Sequence, residues 1–447
     1  MKLKYYSKAL KLCKYPKKTF KIIQSLQEML QSNQCVLEGK ALPVSLLPLL
    51  LNKKEIRLFQ YTSEVIAGII EKTLLALSTS PRIKEYISYE SIPQKWLEVS
   101  PGYKRQVPIA RFDAIFDGKN LKYIEFHTDS PGAQAWGDTI RKVLVEHPFY
   151  RSLSRFPDED TKPSVLATIK EGIETLYKEF THKASDKISV AFADYEDSPT
   201  AMDTLLCTRY LSQQGMDAFV ADPRQFTLRD GVAYCKGKKV DIVRRVMKSQ
   251  EFLREQSKNE NFIKGCLEHT FCMINPFRSI YGGEKALFAL ITNPEFQHLY
   301  TKKEIEIIKH HIPWTRMLSE QETTDWQGEK IVLSDFVKNN RERLVMKTTR
   351  VLLGKDVFLG IETDPKEWEK NFLAQKGNKD WIVQEYVPGK EIPMPCVSGK
   401  KIHLEKRYFT LGSFVVNGKF CGILGRFADI PLVHLSKASG FLPVLQY

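Results

Sequence analysis

Two alternating runs joined by a four-residue turn constrain the fold of this chain more than any other feature. Residues 109–116 (Ile-Ala-Arg-Phe-Asp-Ala-Ile-Phe) and 121–127 (Leu-Lys-Tyr-Ile-Glu-Phe-His) each read as a β-strand, and Asp117-Gly118-Lys119-Asn120 between them is a hairpin signal. Thr128-Asp-Ser-Pro-Gly132 ends the second run. Residues two apart on a strand share a face. Arg111 and Asp113 therefore point the same way, Glu125 and His127 do the same, and the turn sets the two pairs side by side. This patch of two carboxylates, an imidazole and a guanidinium has two readings. It can hold Mg2+ through oxygen donors, with the arginine placed for phosphate charge. It can equally be a solvated hairpin face laced by cross-strand ion pairs.

The rest of the chain is organised around that hairpin. Residues 1–95 read as mainly helical, with apolar residues at three- and four-residue spacing over 18–29 and 55–77. A helix is expected over 139–151. Residues 161–270 alternate helices (165–180, 200–214) with strands (188–193, 217–220, 232–236, 240–246), which predicts a mostly parallel sheet. In the last block, 271–447, the pattern predicts helices over 284–292 and 365–374 and strands over 344–347 and 381–387. Two more strands are expected around the turn Asn417-Gly418. The apolar run 42–51, broken by Pro43 and Pro48, reads as a buried segment or a loop-packed turn. The fold class is α/β.

With 447 residues, 43% of them hydrophobic, the chain has material for a large core. No run approaches about 18 apolar residues, so no membrane span is expected. The net charge is +14, and eight lysines (Lys2, Lys4, Lys8, Lys11, Lys14, Lys17, Lys18, Lys21) fall in the first 21 residues without one acid. That segment is a solvated helix face or a contact for nucleic acid or anionic lipid. Nothing in it resembles a recognition module with interleaved aromatics, so nucleic acid is not the expected partner. No apolar stretch follows it, so an export signal is not expected. The eight cysteines form no CxxC pair, which fits a reduced, cytoplasmic setting.

Two weaker constellations lie in the last block. Lys347 ends a strand and precedes a loop, 348–360, with glycines at 354 and 360. A lysine there can serve as a point charge for phosphates, and glycines let backbone approach them. The P-loop pattern is absent, and an ordinary surface lysine is the alternative. Gln384-Glu385-Tyr386-Val387 can pair an adenine edge through its backbone and hold a ribose hydroxyl through the acid. It can also be a plain core strand.

Taken together, these pieces resemble the circularly permuted ATP-grasp enzymes, in particular the synthetase domain of glutathionylspermidine synthase and its bacterial relatives. The likeness runs through Arg111-Phe-Asp113 and residues 124–131. It continues through 240–245, Asn275-Pro276 with Lys285, Val345-Met-Lys347 and 383–387, and ends in 411–418 and 422–426. The carboxylates precede the lysines, which is the permuted order.

The resemblance implies an ATP-grasp fold in circularly permuted order. Residues 1–95 would be helical decoration, 96–160 the metal-binding half and 271–447 the nucleotide-binding half. Residues 161–270 would form a central, pre-ATP-grasp-like α/β domain. It also implies that Asp113, Glu125 and His127 hold Mg2+, and that Arg111 steadies the acyl-phosphate transition state. Lys285 and Lys347 would contact the ATP phosphates under a lid containing Gly354. Gln384, Glu385 and Val387 would frame adenine and ribose, and Arg426 would face phosphates or substrate. The implied reaction joins a small-molecule carboxylate to an amine, forming an amide with release of ADP and phosphate. His127 departs from the family's asparagine, and residues 348–354 hold fewer glycines than the family's lid. A non-catalytic ATP-binding regulatory protein is the alternative, and a nucleic-acid scaffold acting through residues 1–21 is a third reading.

Overall fold

The computed structural model describes residues 2–87, 92–153, 164–183, 187–350, 357–431 and 439–446. The hairpin forms where the alternation places it, as strands Ile109–Phe116 and Leu121–His127. Its turn is closed by Asp117, whose Oδ1 accepts from the N–H groups of Lys119 at 2.8 Å and Asn120 at 2.7 Å. Gly118 there has φ +92°, a conformation glycine adopts at little cost. The register sets Arg111 opposite His127 and Asp113 opposite Glu125, and a bulge follows between Asp113 and Ala114.

The hairpin is one edge of a six-stranded antiparallel sheet. Next to it lies Lys401–Val416, then Lys419–Ala428 and Gly440–Leu442, while Lys390–Ser398 pairs with the outer part of Lys401–Val416. A long helix, Lys53–Thr79, covers this sheet. Its start is fixed by a capping box between Asn52 and Glu55. Phe59, Ile66 and Ile70 of the helix join Phe112, Tyr123 and Phe126 of the hairpin in one core. Burying each such side chain fully is worth about 1.5–3 kcal/mol. The hairpin is therefore not a solvated flap: all eight residues of Ile109–Phe116 are buried, Arg111 and Asp113 included.

The predicted parallel sheet is present in the order Cys272–Ile274, Ile242–Arg245, Ser189–Ala193, Asp217–Ala221, and every pairing in it is parallel. The strand expected over 232–236 lies outside it, since Val232–Cys235 pairs antiparallel with Phe226–Arg229 and Lys238–Lys239 in a separate small sheet. A third sheet, all antiparallel, runs Thr315–Met317, Trp381–Glu385, Leu344–Thr348, Val357–Leu359.

Several expectations are corrected. The segment expected as a loop over 348–360 begins and ends in strand, since Val357–Leu359 folds back on Leu344–Thr348. Gly360 is needed there for packing, because a Cβ would stand 1.9 Å from the Arg341 carbonyl oxygen. Gly354 lies outside the described residues. The strand expected over 381–387 stops at Glu385, and the Tyr386 N–H donates to the Arg343 carbonyl at 2.8 Å instead. Pro148 divides the expected helix over 139–151 into Gln134–Glu146 and Pro148–Leu153. The run 42–51 is mostly buried, with Pro43 exposed, and ends in Leu49–Leu51, which pairs in parallel with Val444–Gln446.

The N-terminal lysines sit on helices Lys2–Lys14 and Pro16–Ser32, with Ile22, Leu26 and Leu30 buried and Lys11, Lys14, Lys17, Lys18 and Lys21 exposed. Among the described residues no helix is long and apolar enough to cross a membrane.

Candidate active site

The open end of the hairpin is clamped from the parallel sheet. Asn275 follows the strand Cys272–Ile274 at φ 55°, a left-handed conformation asparagine tolerates better than most residues. Its side-chain oxygen accepts from the Ile109 N–H at 3.2 Å, and its amide donates to the carbonyls of Ile109 at 2.8 Å and Thr128 at 2.6 Å. Arg245 ends the neighbouring strand and is 0% exposed. It donates to the carbonyls of Asn275 and Met247, both at 3.0 Å, and to the Asp129 carboxylate at 2.5 Å. Both strand ends are thereby fixed, and with them the register of the charged pairs.

Asp113, 1% exposed, is the centre of the cluster. Arg111 grips it with two donors, Nε to Oδ1 at 2.8 Å and Nη2 to Oδ2 at 3.2 Å, and gives a third to the Gly132 carbonyl at 3.1 Å. His127 Nε2 stands 2.9 Å from Oδ2, and Arg426, reaching across from Lys419–Ala428, donates to the same oxygen. Gly412 faces Asp113 from the next strand. A Cβ there would lie 2.5 Å from Asp113 Oδ1 and 2.8 Å from Arg111 Cδ, so only glycine leaves room for the pair. Burial by itself would raise the Asp113 carboxyl. The Arg111, Arg426 and His127 charges outweigh it and hold the group well below the usual carboxylate range.

Glu125 and His127 form the more open side. His127 Nε2 is 3.4 Å from Glu125 Oε2, and Glu125 Oε1 is 4.0 Å from Lys285 Nζ. Burial opposes the charge on Glu125, yet His127 and Lys285 keep its carboxyl below the ordinary range. For His127, burial lowers the imidazole and Glu125 raises it. With Asp113 adding to Glu125 against Arg111, the net direction is upward.

Lys285 opens the helix Lys285–Thr292, where its N–H donates to the Thr349 carbonyl at 3.3 Å. That contact ties the hairpin's surroundings to the lysine-bearing sheet. Lys347, on Leu344–Thr348, donates to Gln384 Oε1 at 2.8 Å, and Gln384 Nε2 donates to Thr315 Oγ1 at 2.8 Å. Burial, followed by the nearby Lys285 charge, pushes the Lys347 ammonium down to about 7.

Eight of the expected residues thus converge through this chain of contacts: Arg111, Asp113, Glu125, His127, Lys285, Lys347, Gln384 and Arg426. Glu385 stands at the margin, with Oε2 3.9 Å from Lys122 Nζ on the hairpin. Val387 lies two residues beyond the end of Trp381–Glu385. The residue pattern missed the positioning roles of Thr315, Gly412, Asn275 and Arg245. A glycine inside an apolar strand was the one local signal for Gly412.

The donor set suits a divalent cation. One ligand atom each from Asp113, Glu125 and His127 all lie within 4.8 Å of one another. The two carboxylates match Mg2+, and the imidazole nitrogen suits transition ions better. Arg111, Arg426, Lys285 and Lys347 outnumber the two carboxylates. A surplus of positive charge in a partly desolvated place fits a polyphosphate.

No family model matches the chain, and no curated protein matches it. Among solved structures it is similar to a glutathione synthetase-like effector (GSS30) from Globodera pallida in apo form. The TM-score is 0.59 at 12% identity, over 97% of this chain and 98% of that one. It is also similar to a putative gamma-glutamylcysteine synthetase from Methylobacillus flagellatus KT, with TM-score 0.40 and 10% identity over 85% and 88% of the two chains. A D-alanyl-alanine synthetase A from Vibrio cholerae O1 follows, with TM-score 0.25 and 13% identity over 51% and 68%. The chain is an α/β protein that shares its overall fold with the glutathione synthetase-like effector.

Proposed function

We propose that the chain is an ATP-dependent carboxylate–amine ligase, and that its nucleotide lies between the hairpin and the lysine-bearing sheet. One observation carries this reading. Glu125 of the hairpin meets the buried Lys285 at 4.0 Å, and the half-buried Lys347 is pushed down first by desolvation and then by the nearby Lys285 charge. Two lysines set this close in a partly desolvated place repel one another, and an anion between them relieves that cost. A triphosphate is the anion that also requires the neighbouring carboxylates, through a cation. The fold, shared with a protein named as glutathione synthetase-like, agrees with this chemistry.

In this reading Lys285 and Lys347 hold the phosphates, and Gln384 keeps the Lys347 side chain aimed at them. Asp113, Glu125 and His127 hold the divalent cation. When bound, that cation offsets charge on the phosphate oxygens. Arg111 and Arg426 stand at the transferred phosphoryl group. A substrate carboxylate oxygen attacks the γ-phosphorus, the bond to ADP breaks, and an acyl phosphate results. An amine nitrogen then attacks the acyl carbon, the bond to phosphate breaks, and an amide forms with loss of a proton. The protein contributes position and preorganised charge, and no covalent nucleophile is required. Because the carboxylates precede the lysines in the chain, the fold would be the circularly permuted form. Residues 96–160 would then supply its metal half and 271–447 its nucleotide half, around a central domain at 161–270 and helical decoration at 1–95.

The test is ADP release against pooled carboxylic acids and amines. Wild type should release ADP when both partners are present, and Asp113→Asn should release none. Thermal stabilisation by ATP that is unchanged in Asp113→Asn, with no ADP from any pool, would instead mark a regulatory nucleotide binder.

A further inference from the structure

The third donor of the hairpin cluster decides which cation it takes. His127 Nε2 lies 2.9 Å from Asp113 Oδ2 and 3.4 Å from Glu125 Oε2, so one ring nitrogen faces both carboxylates. Two ligands bonded at about 2.1 Å on adjacent octahedral positions stand about 3.0 Å apart, and tetrahedral ones about 3.4 Å. The observed separations, which the ring now spans by hydrogen-bond and ion-pair contact, are close enough that one cation could replace the proton between the nitrogen and both carboxylates. The site is also held in place. The Asn275 side chain clamps the backbone at Ile109 and Thr128, and Arg111 and Arg426 fix the Asp113 carboxylate, Arg111 through both oxygens and Arg426 through Oδ2. Magnesium takes oxygen donors and keeps several waters, whereas imidazole favours first-row transition ions.

We propose that this site selects a first-row transition dication over Mg2+, with His127 Nε2 as its nitrogen ligand. The proposal rests on the reading of the hairpin as the metal half of a nucleotide site. It does not require turnover.

The probe is Mn2+, titrated into the full-length chain with a non-hydrolysable ATP analogue and competing Mg2+, and followed by electron paramagnetic resonance. Bound Mn2+ should show imidazole-nitrogen coupling in its spin-echo envelope. His127→Asn should abolish that coupling and narrow the Mn2+-over-Mg2+ preference by about tenfold or more, since losing even an outer-sphere partner costs about 10–100-fold in metal affinity. If His127→Asn does not fold by circular dichroism, His127→Gln takes its place. Absence of Mn2+ binding, absence of nitrogen coupling in wild type, or an unchanged preference in the variant overturns the proposal. Nitrogen-coupled Mn2+ in a chain that releases no ADP sustains it and removes the ligase reading. ADP release with Mg2+ at a site lacking nitrogen coupling does the reverse.

Discussion

Two buried arginine–aspartate clusters lie on either side of the segment 127–132, and they use their charge differently. Around Arg245, each donor meets a fixed acceptor: the carbonyls of Asn275 and Met247, and the Asp129 carboxylate, which Ser249 also binds through its N–H and its hydroxyl. That cluster is closed. Around Asp113, three cationic side chains converge on one carboxylate, and Lys285 and Lys347 bring further positive charge beside Glu125. That cluster is open, with Glu125 and His127 half-exposed. Both contain a buried arginine and a nearby acid. Only the surplus on one side distinguishes a fastening from a binding site.

The largest expected effect breaks the closed cluster. Arg245→Met leaves the Asp129 carboxylate without its cation and should cost about 3–5 kcal/mol in urea unfolding. A loss under about 1 kcal/mol would mean that the clamp does not hold the hairpin. Next in size is the open cluster. Arg111→Ala should slow ADP release by about 100–1000-fold, as for loss of one preorganised charge donor. Its stability should change less than that of Arg245→Met, because Arg426 and His127 still face Asp113. Equal stability losses in the two variants would erase the contrast.

Gly412→Ala is expected to cost about 1–3 kcal/mol by overpacking and to disturb both Asp113 and Arg111. Unchanged unfolding and metal binding would show that the neighbouring strand has room to shift.

A different kind of effect is one of protons. Lys347 is held down to about 7 in the fold, against an ordinary value of 10.5. Below pH 7 the lysine is charged in the folded and unfolded chains alike, and the fold bears the full cost of burying it. Between pH 7 and 10.5 the unfolded chain keeps a proton the fold has lost, so stability should rise with pH across that window. Lys347→Met should flatten that slope. An anionic nucleotide raises the lysine again, so ATP binding near pH 8 should take up a fraction of a proton. Calorimetry in buffers of different ionisation enthalpy measures this, and uptake that survives in Lys347→Met would assign the proton elsewhere.

The hairpin was legible in the sequence because a two-residue period and a tight turn are local features. Its register alone put Arg111, Asp113, Glu125 and His127 together. The lysines were not legible in that way. Lys347 offered only a weak local signal, a strand end before a glycine-bearing loop, and Lys285 was placed by resemblance alone, since nothing near either in sequence announces a shared site. Arg245 and Asn275 were hidden as clamps because their partners, Asp129, Ile109 and Thr128, lie more than a hundred residues away. Lys390–Ser398 escaped notice for a different reason. It carries Pro393 and Pro395, which argue against a strand, and it forms because it is an edge strand paired only with Lys401–Val416. Val357–Leu359 is too short to show a period and forms by folding back on Leu344–Thr348.

The central claim is that the hairpin and the lysine-bearing sheet hold one nucleotide between them. A double-mutant cycle on ATP-analogue affinity, with divalent metal present, tests it most directly: Glu125→Gln, Lys347→Met and the pair. A shared triphosphate predicts non-additive losses, with a coupling of about 0.5–3 kcal/mol that shrinks when the metal is removed. Strictly additive losses, or an affinity that Glu125→Gln leaves unchanged, would contradict it.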